Sequence, residues 1–279
     1  MNGDPMRDAR TRERDAGASE GDAVLAVTGL SRRFGGVQAL DAVSFRVARG
    51  ERVALIGPNG AGKSTCFNLL GGQLRPDAGT VRVAGRDLTG RAASAVFRRG
   101  VGRTFQIPAV FASMTVAESV QLARLSHLRR LGGLWRRARD QETAAAARLL
   151  DRVGIADLAE APCGTLAYAD RKRVELAMAL ANDPVVLLMD EPTAGMAPGE
   201  RAALMALTAD LARAERRAIL FTEHDMAVVF AHADRVLVLD QGRLLTEGTP
   251  AVVRADPAVR RVYLGTGEGS GSAGAAGSC

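Results

Sequence analysis

No apolar run in this 279-residue chain approaches the roughly 20 residues that a membrane-spanning helix requires, so it is not expected to cross a bilayer by itself. Residues 1–22 lack an apolar signal core and carry charges of both signs, which excludes a secretory leader and predicts a disordered tail. Residues 265–279 are mostly glycine, serine and alanine and read as a second, flexible tail. Cysteine is scarce: Cys66, Cys163 and Cys279 are odd in number and form no CxxC spacing. Neither a disulfide framework nor a cysteine metal site is expected, and unpaired thiols point to a reducing cytoplasm. Aromatics make up 4% of the chain, and the excess of 37 basic over 31 acidic residues is too diffuse for nucleic acid to be a partner. Lysine occurs only at Lys63 and Lys172, and arginine supplies the remaining positive charge. A chain that writes arginine almost everywhere and lysine at 63 has a use there for a compact point charge in place of a planar fork.

What is present, 47% hydrophobic and 24% charged residues, is the composition of an ordinary globular protein, and residues 23–264 fit one large domain. Short strand-like runs alternate with helices: VSFRV at 43–47, RVALIG at 52–57, TVRVAG after a helix that begins KSTCFNLL, VVLLMD at 185–190, AILFT at 218–222 and RVLVLD at 235–240. Apolar runs of about five residues separated by amphipathic helices predict parallel strands buried on both faces, hence an α/β fold. Gln241 and Gly242 between RVLVLD and RLLTEG predict a tight antiparallel hairpin. Residues of about 110–182 read as helical throughout, a subdomain inserted into the α/β core.

The strongest chemical signal is GPNGAGKST, comprising Gly57, Asn59, Gly60, Ala61, Gly62, Lys63, Ser64 and Thr65 around Pro58. It follows a buried strand and opens a helix, the context in which G-x-x-x-x-G-K-[ST] binds phosphate. Glycines let successive N–H groups point at phosphate oxygens, and the helix N-terminus adds partial positive charge. Lys63 is expected at the β and γ phosphates and Ser64 at Mg²⁺. A second apolar strand ends in Asp190 and Glu191. Successive residues leave a strand in opposite directions, so one acid, Asp190, is expected to face the metal while Glu191 deprotonates the attacking water.

These motifs, with VGRTFQ ending in Gln106 and TEHDMAVVFAHADRVLVLDQGRLLTEGTP, resemble the ATP-binding subunit of an ABC transporter, in the family's order and over nearly everything between the tails. The resemblance implies a P-loop ABC ATPase core, a mostly parallel sheet with antiparallel additions, that binds ATP and Mg²⁺ and hydrolyses ATP. It makes Gln106 the Q-loop glutamine at the metal and attacking water, His224 the switch histidine at the γ phosphate, and Phe34 the aromatic on adenine. The signature that contacts the nucleotide of an opposing subunit is LAYAD in place of LSGGQ. Ala167 lacks the hydroxyl, Tyr168 and Ala169 replace glycines, and Asp170 brings a carboxylate that Arg171, Lys172 and Arg173 can offset. Ala197 stands where the D-loop has aspartate.

FGGVQAL, RTFQIPAVFASMTVAESV, EPTAGM and DPAVRRVYLG are similar to the ATPases of branched-chain amino acid importers, and the extra residues 123–142 to the larger of the two. Urea and short-amide importers and a lipid exporter use close relatives. The resemblance implies a peripheral protein on the cytoplasmic face of the inner membrane, paired head-to-tail with a second ABC ATPase and seated on permease subunits. A solute-binding protein takes part indirectly. A nucleotide-dependent binding module with little hydrolysis remains open because of LAYAD, whereas a ribosome- or DNA-acting ABC protein usually has paired ATPase domains or a coiled coil, and this sequence shows neither. Arg129, Arg130, Arg136, Arg137 and Arg139 around Trp135 can meet anionic lipid or permease loops, or form a solvated helix face. Reversing three of them to glutamate is expected to impair membrane recruitment, read by cell fractionation; unchanged recruitment leaves only the solvated face.

Overall fold

Alternation along the buried strands decides how the layers stack. In the computed structural model, which describes residues 23–128 and 142–264, strands β1 (Ala23–Phe34), β2 (Val37–Ala48) and β3 (Arg52–Ile56) lead into helix α1 (Lys63–Leu70). There follow β4 (Ala78–Val83), β5 (Arg86–Asp87), α2 (Ala93–Arg98) and β6 (Val101–Thr104). Three helices come next, α3 (Val116–His127), α4 (Thr143–Arg152) and α5 (Tyr168–Leu180). The chain then runs through β7 (Val186–Asp190), α6 (Pro198–Glu215), β8 (Ala218–Thr222), α7 (Met226–His232), β9 (Arg235–Asp240) and β10 (Arg243–Gly248), ending in α8 (Pro250–Ala255) and α9 (Pro257–Leu264). The predicted tails and the arginines around Trp135 lie outside the described residues. No helix among the described residues is long and apolar enough to cross a membrane.

One sheet has the order β10-β9-β3-β8-β7-β6, parallel except for the hairpin partner β10. The other, β2-β1-β4-β5, is antiparallel. Successive residues of the parallel strands enter opposite hydrophobic clusters: Val53, Leu55, Val186, Leu188, Leu237 and Leu239 face the antiparallel sheet and α1. Ala54, Ile56, Leu187, Met189, Val236 and Val238 face the helices of the other layer. Both faces are therefore dry, which is why these strands read as unbroken apolar runs.

Among the elements that escape the sequence pattern are β1 and β6. The strand β1 pairs with β2 through several register shifts, and such bulges break the period of two on which strand recognition depends. The strand β6 is four residues long and contains a glycine and an arginine. Among the described residues, 110–182 hold α3, α4 and α5 with two short 3-10 turns at Ala156–Leu158 and Cys163–Thr165. Helix α3 starts on a capping box in which the Thr115 hydroxyl accepts from Glu118 N–H and Glu118 accepts from Thr115 N–H. Val116 and Val120 of α3, Leu149 and Leu150 of α4, and Val174 and Ala177 of α5 join the cluster under the parallel sheet.

Helix α5 also carries buried charge. Glu175 is 3% exposed, and its Oε1 accepts from the N–H groups of Phe105 (3.0 Å) and Ala109 (3.1 Å). Burial lifts its carboxyl from the ordinary 4.5 to about 7, against the pull of those N–H groups and of Lys172. The folded value lies above the unfolded one, so folding takes up a proton. The resulting contribution to stability is full below pH 4.5 and is lost as pH rises through about 7. The loss across that window is about 3 kcal/mol at 1.36 kcal/mol per pH unit. Glu175→Gln keeps an oxygen for both N–H groups, so it is expected to gain stability over the wild type between about pH 5 and about pH 8 in urea unfolding. A difference that does not change with pH would place the titration elsewhere.

Candidate nucleotide site

Strand β3 ends at Ile56, and the chain curls through Gly57–Gly62 into α1. Gly60 and Gly62 have φ of 81° and 104°. At Gly62 a Cβ would lie 2.4 Å from the Ala39 carbonyl oxygen and 2.8 Å from a Leu40 methyl, so only glycine lets α1 start this close to β2. The first turn of α1 has no acidic residue, and no side chain caps it. Its leading N–H groups are therefore available to an anion, which fits a phosphate ligand. The Lys63 ammonium is 8% exposed and donates to the carbonyls of Gly57 (2.6 Å) and Pro58 (3.0 Å), which holds it over the loop. Burial pulls its pKa below the ordinary lysine value, while Glu191 and Asp190 pull it back up. Ala61 is buried, whereas Asn59 and Ser64 are exposed and Thr65 is half-buried.

The two acids at the end of β7 have different surroundings, as the expectation of opposite directions requires. Asp190 pairs in register with Thr222 of β8, whose hydroxyl donates to Asp190 Oδ1 (2.8 Å) and accepts from Glu191 N–H (3.0 Å). Arg103 lies 3.6 Å from the other Asp190 oxygen. Glu191 takes a left-handed φ of 46°, costly for a side chain of its kind. Its carboxylate accepts from Gln106 Nε2 (2.7 Å) on one oxygen and contacts His224 Nε2 (2.6 Å) on the other. Thus Gln106, Asp190, Glu191 and His224 come together with Lys63 in their field. The cluster holds a carboxylate positioned to take a proton, an imidazole and an amide beside it, and a cation opposite.

Ala167 precedes the first turn of α5 without a side-chain cap, and Asp170 lies in that turn. Ala169 is buried. Tyr168 does more than replace a glycine: its hydroxyl donates to the Gln106 carbonyl (3.1 Å), and its ring lies against Gly195. The expectation that Lys172 offsets Asp170 is wrong. Lys172 is 3% exposed and donates to the carbonyls of Phe105 and Gln106, both at 2.7 Å, because an ammonium this deep needs acceptors in place of water. Phe34 is 42% exposed at the end of β1, with the Arg32 guanidinium 4.9 Å from its ring centroid. Ala197 precedes α6, and its N–H donates to Glu200.

Four contributors were not singled out from sequence. Thr222 is visible only through strand register. Arg103 stacks on Phe105 and bonds to Asn68 and the Phe67 carbonyl, which ties β6 to α1. Glu175 gave no sequence signal beyond being an acid on a helix. Tyr263 of α9 lies near the Gly57 backbone, and burial pushes its phenol upward in pKa.

The ABC transporter family model matches residues 40–194, and a model for the branched-chain amino acid ATP-binding cassette transporter matches 243–269. The high-affinity branched-chain amino acid transport ATP-binding protein LivG of Salmonella typhimurium is 41% identical over 249 residues, 87% of this chain and 98% of LivG. The corresponding BraF of Pseudomonas aeruginosa is 39% identical with the same coverage. A methionine import ATP-binding protein, MetN of Rhizobium johnstonii, is 38% identical over 88% of this chain and 66% of its own length. Among solved structures, an ATP-binding cassette of an ABC transporter in its ADP conformation superposes with a TM-score of 0.78 and 30% identity, covering 87% of this chain and 99% of that one. A nucleotide-free cassette gives 0.77 at the same identity and coverage. By sequence and by fold, the chain belongs to the ABC transporter family, as one of its ATP-binding cassettes.

Proposed function

We propose that this chain is the ATP-hydrolysing subunit of an importer for branched-chain amino acids, working on the cytoplasmic face of the inner membrane. The observation that carries the hydrolytic part is the Glu191 carboxylate held between Gln106 and His224 beside the 57–65 loop. The match at 243–269 and the LivG and BraF relatives support the substrate class.

The N–H groups of the 57–65 loop and of α1 bind the phosphates of ATP, and Lys63 stays over them as a point charge. Phe34, exposed beside the first β-turn, stacks on adenine. Ser64, Gln106 and Asp190 offer the hard oxygen donors that suit Mg²⁺. Bound there, the ion supplies charge neutralisation at the phosphate oxygens. Glu191 takes the proton of the attacking water. Gln106 orients that water, and the His224 imidazole, in contact with Glu191, reaches the γ phosphate. Most of the rate gain comes from positioning and electrostatics.

A second cassette pairs head-to-tail, so that Ala167, Tyr168, Ala169 and Asp170 of one meet the nucleotide of the other. The uncapped first turn of α5 supports this, since backbone N–H groups do not depend on the side chains of LAYAD. Residues of about 110–182 act as a helical subdomain toward permease subunits. An apolar groove of about 410 Å³ supports this seat; Phe97, Phe105, Leu122 and Met178 line it, and Phe111, 48% exposed, stands at its lip. The solute-binding protein acts indirectly, through the permease. A binding module with little hydrolysis is the second reading, favoured by the carboxylate of Asp170 in the first turn of α5.

Glu191→Gln is expected to keep ATP binding while slowing turnover by about 10² to 10⁴ fold, the range for loss of a general base. Loss of binding would make the residue structural, and wild-type turnover too slow to measure even with permease present would favour the binding module. Uptake of labelled leucine, with urea alongside, in cells carrying wild-type or Glu191→Gln protein at equal abundance tests the cargo. Loss of leucine uptake is the expected result. Loss of urea uptake alone would change the cargo and keep the motor.

A further inference from the structure

The only two lysines of the chain are both buried, and each binds two consecutive carbonyls of a loop. Lys63 does this on its own phosphate loop. Lys172 does it on another loop, at Phe105 and Gln106, from the middle of α5. It is one of three side chains on that helix that grip the same loop. Tyr168 donates to the Gln106 carbonyl, Lys172 to the Phe105 and Gln106 carbonyls, and Glu175 accepts from the N–H groups of Phe105 and Ala109. Positions 168, 172 and 175 follow the i, i+4, i+7 spacing of one helical stripe, so a single face of α5 holds the loop.

The arrangement costs more than packing requires. Glu175 Oε2 is buried with no hydrogen-bond partner, and both Lys172 and Glu175 have given up water. Lys172 fits where arginine would not, since two neighbouring carbonyls converge on a compact ammonium. The loop is thereby fixed to α5 by its backbone, while the Gln106 side chain reaches across to Glu191. Any rotation of α5 then carries the Gln106 amide relative to that carboxylate.

We propose that Tyr168, Lys172 and Glu175 are positioning residues for hydrolysis, a stripe on α5 that sets Gln106 against Glu191. This rests on the role given above to Gln106. Tyr168 begins the helix whose first turn faces the partner's nucleotide, so the stripe also makes the state of that opposing site felt at Gln106.

The test is a double-mutant cycle on ATP turnover by the complete transporter in membrane vesicles, with ATP affinity measured separately on the same preparations. Lys172→Met is expected to lower kcat by about tenfold, the size of one hydrogen bond to a charged group, and to leave KM and ATP affinity within about twofold. Tyr168→Phe, which deletes one hydroxyl and leaves the fold alone, is expected to lower kcat by about threefold, the size of one neutral hydrogen bond. In a Gln106→Ala background neither substitution is expected to slow turnover further, because both act through that side chain. Fully multiplicative effects would overturn the proposal, as would parallel losses of ATP affinity and thermal stability, which mark a role in folding alone. If Lys172→Met does not fold, Tyr168→Phe decides the cycle by itself. Undiminished turnover in Gln106→Ala would instead refute the role of Gln106, a failure distinct from additivity in a cycle where that variant is slow.

Discussion

Everything at the site depends on parallel strands that end at one edge of a single sheet. The neighbouring strands β3, β8, β7 and β6 deliver the loop at Gly57, the turn at His224, the acids at 190 and 191, and the loop at Gln106. These residues span chain positions 57 to 224, and the shared strand direction gathers them at one edge, with Gln106 and His224 both bonded to Glu191. The register between β7 and β8 then sets the detail, because pairing of Asp190 with Thr222 lets one hydroxyl serve both acids. A slip of one residue would turn the strand's side chains to the opposite face.

Charge is handled with the same economy. The cations around the site are held largely by backbone carbonyls: Lys63 by its own loop, Lys172 by the Gln106 loop, and Arg103 by the Phe67 carbonyl together with the Asn68 side chain. Lys63 and Lys172, held by backbone carbonyls, stand near Asp190 and Glu191 without a direct ion pair to either, whereas Arg103 pairs with Asp190 at 3.6 Å. Glu191 itself sits in a strained backbone conformation and is approached from two sides, by the Gln106 amide and the His224 imidazole, the pattern of a pre-organised residue.

The departures from the family pattern acquire structural meaning in this setting. Tyr168, at a position where the family has glycine, is bonded to the loop of Gln106 and packed on Gly195, in the segment that follows the acids. The aromatic thus joins three parts of the site that glycine would leave unconnected. Ala197 surrenders an acidic side chain, and its backbone N–H is taken by Glu200 of the following helix. Both positions make their contacts within the chain.

The glycine loop at 57–65, both acids and the alternation of strands with helices are legible in the sequence because each is local: a run of glycines before a helix, an apolar run ending in charge, apolar runs of about five residues between helices. The strand β1 is not, since its bulges hide the period, and β6 is too short to have one. The scarcity of lysine singled out position 63, which is buried over its own loop, and the same argument applied to 172 points inward as well; its place between Arg171 and Arg173 makes it look like a surface charge. Sequence alone determined the residue types and short spacings that phosphoryl chemistry uses, because those are local. Tertiary structure alone decided which of them touch: that Glu191 lies between Gln106 and His224, that Thr222 bridges the acids, and that one stripe of α5 holds the glutamine loop. Those contacts link residues 31 to 85 positions apart, and only strand order and helix packing bring such pairs together.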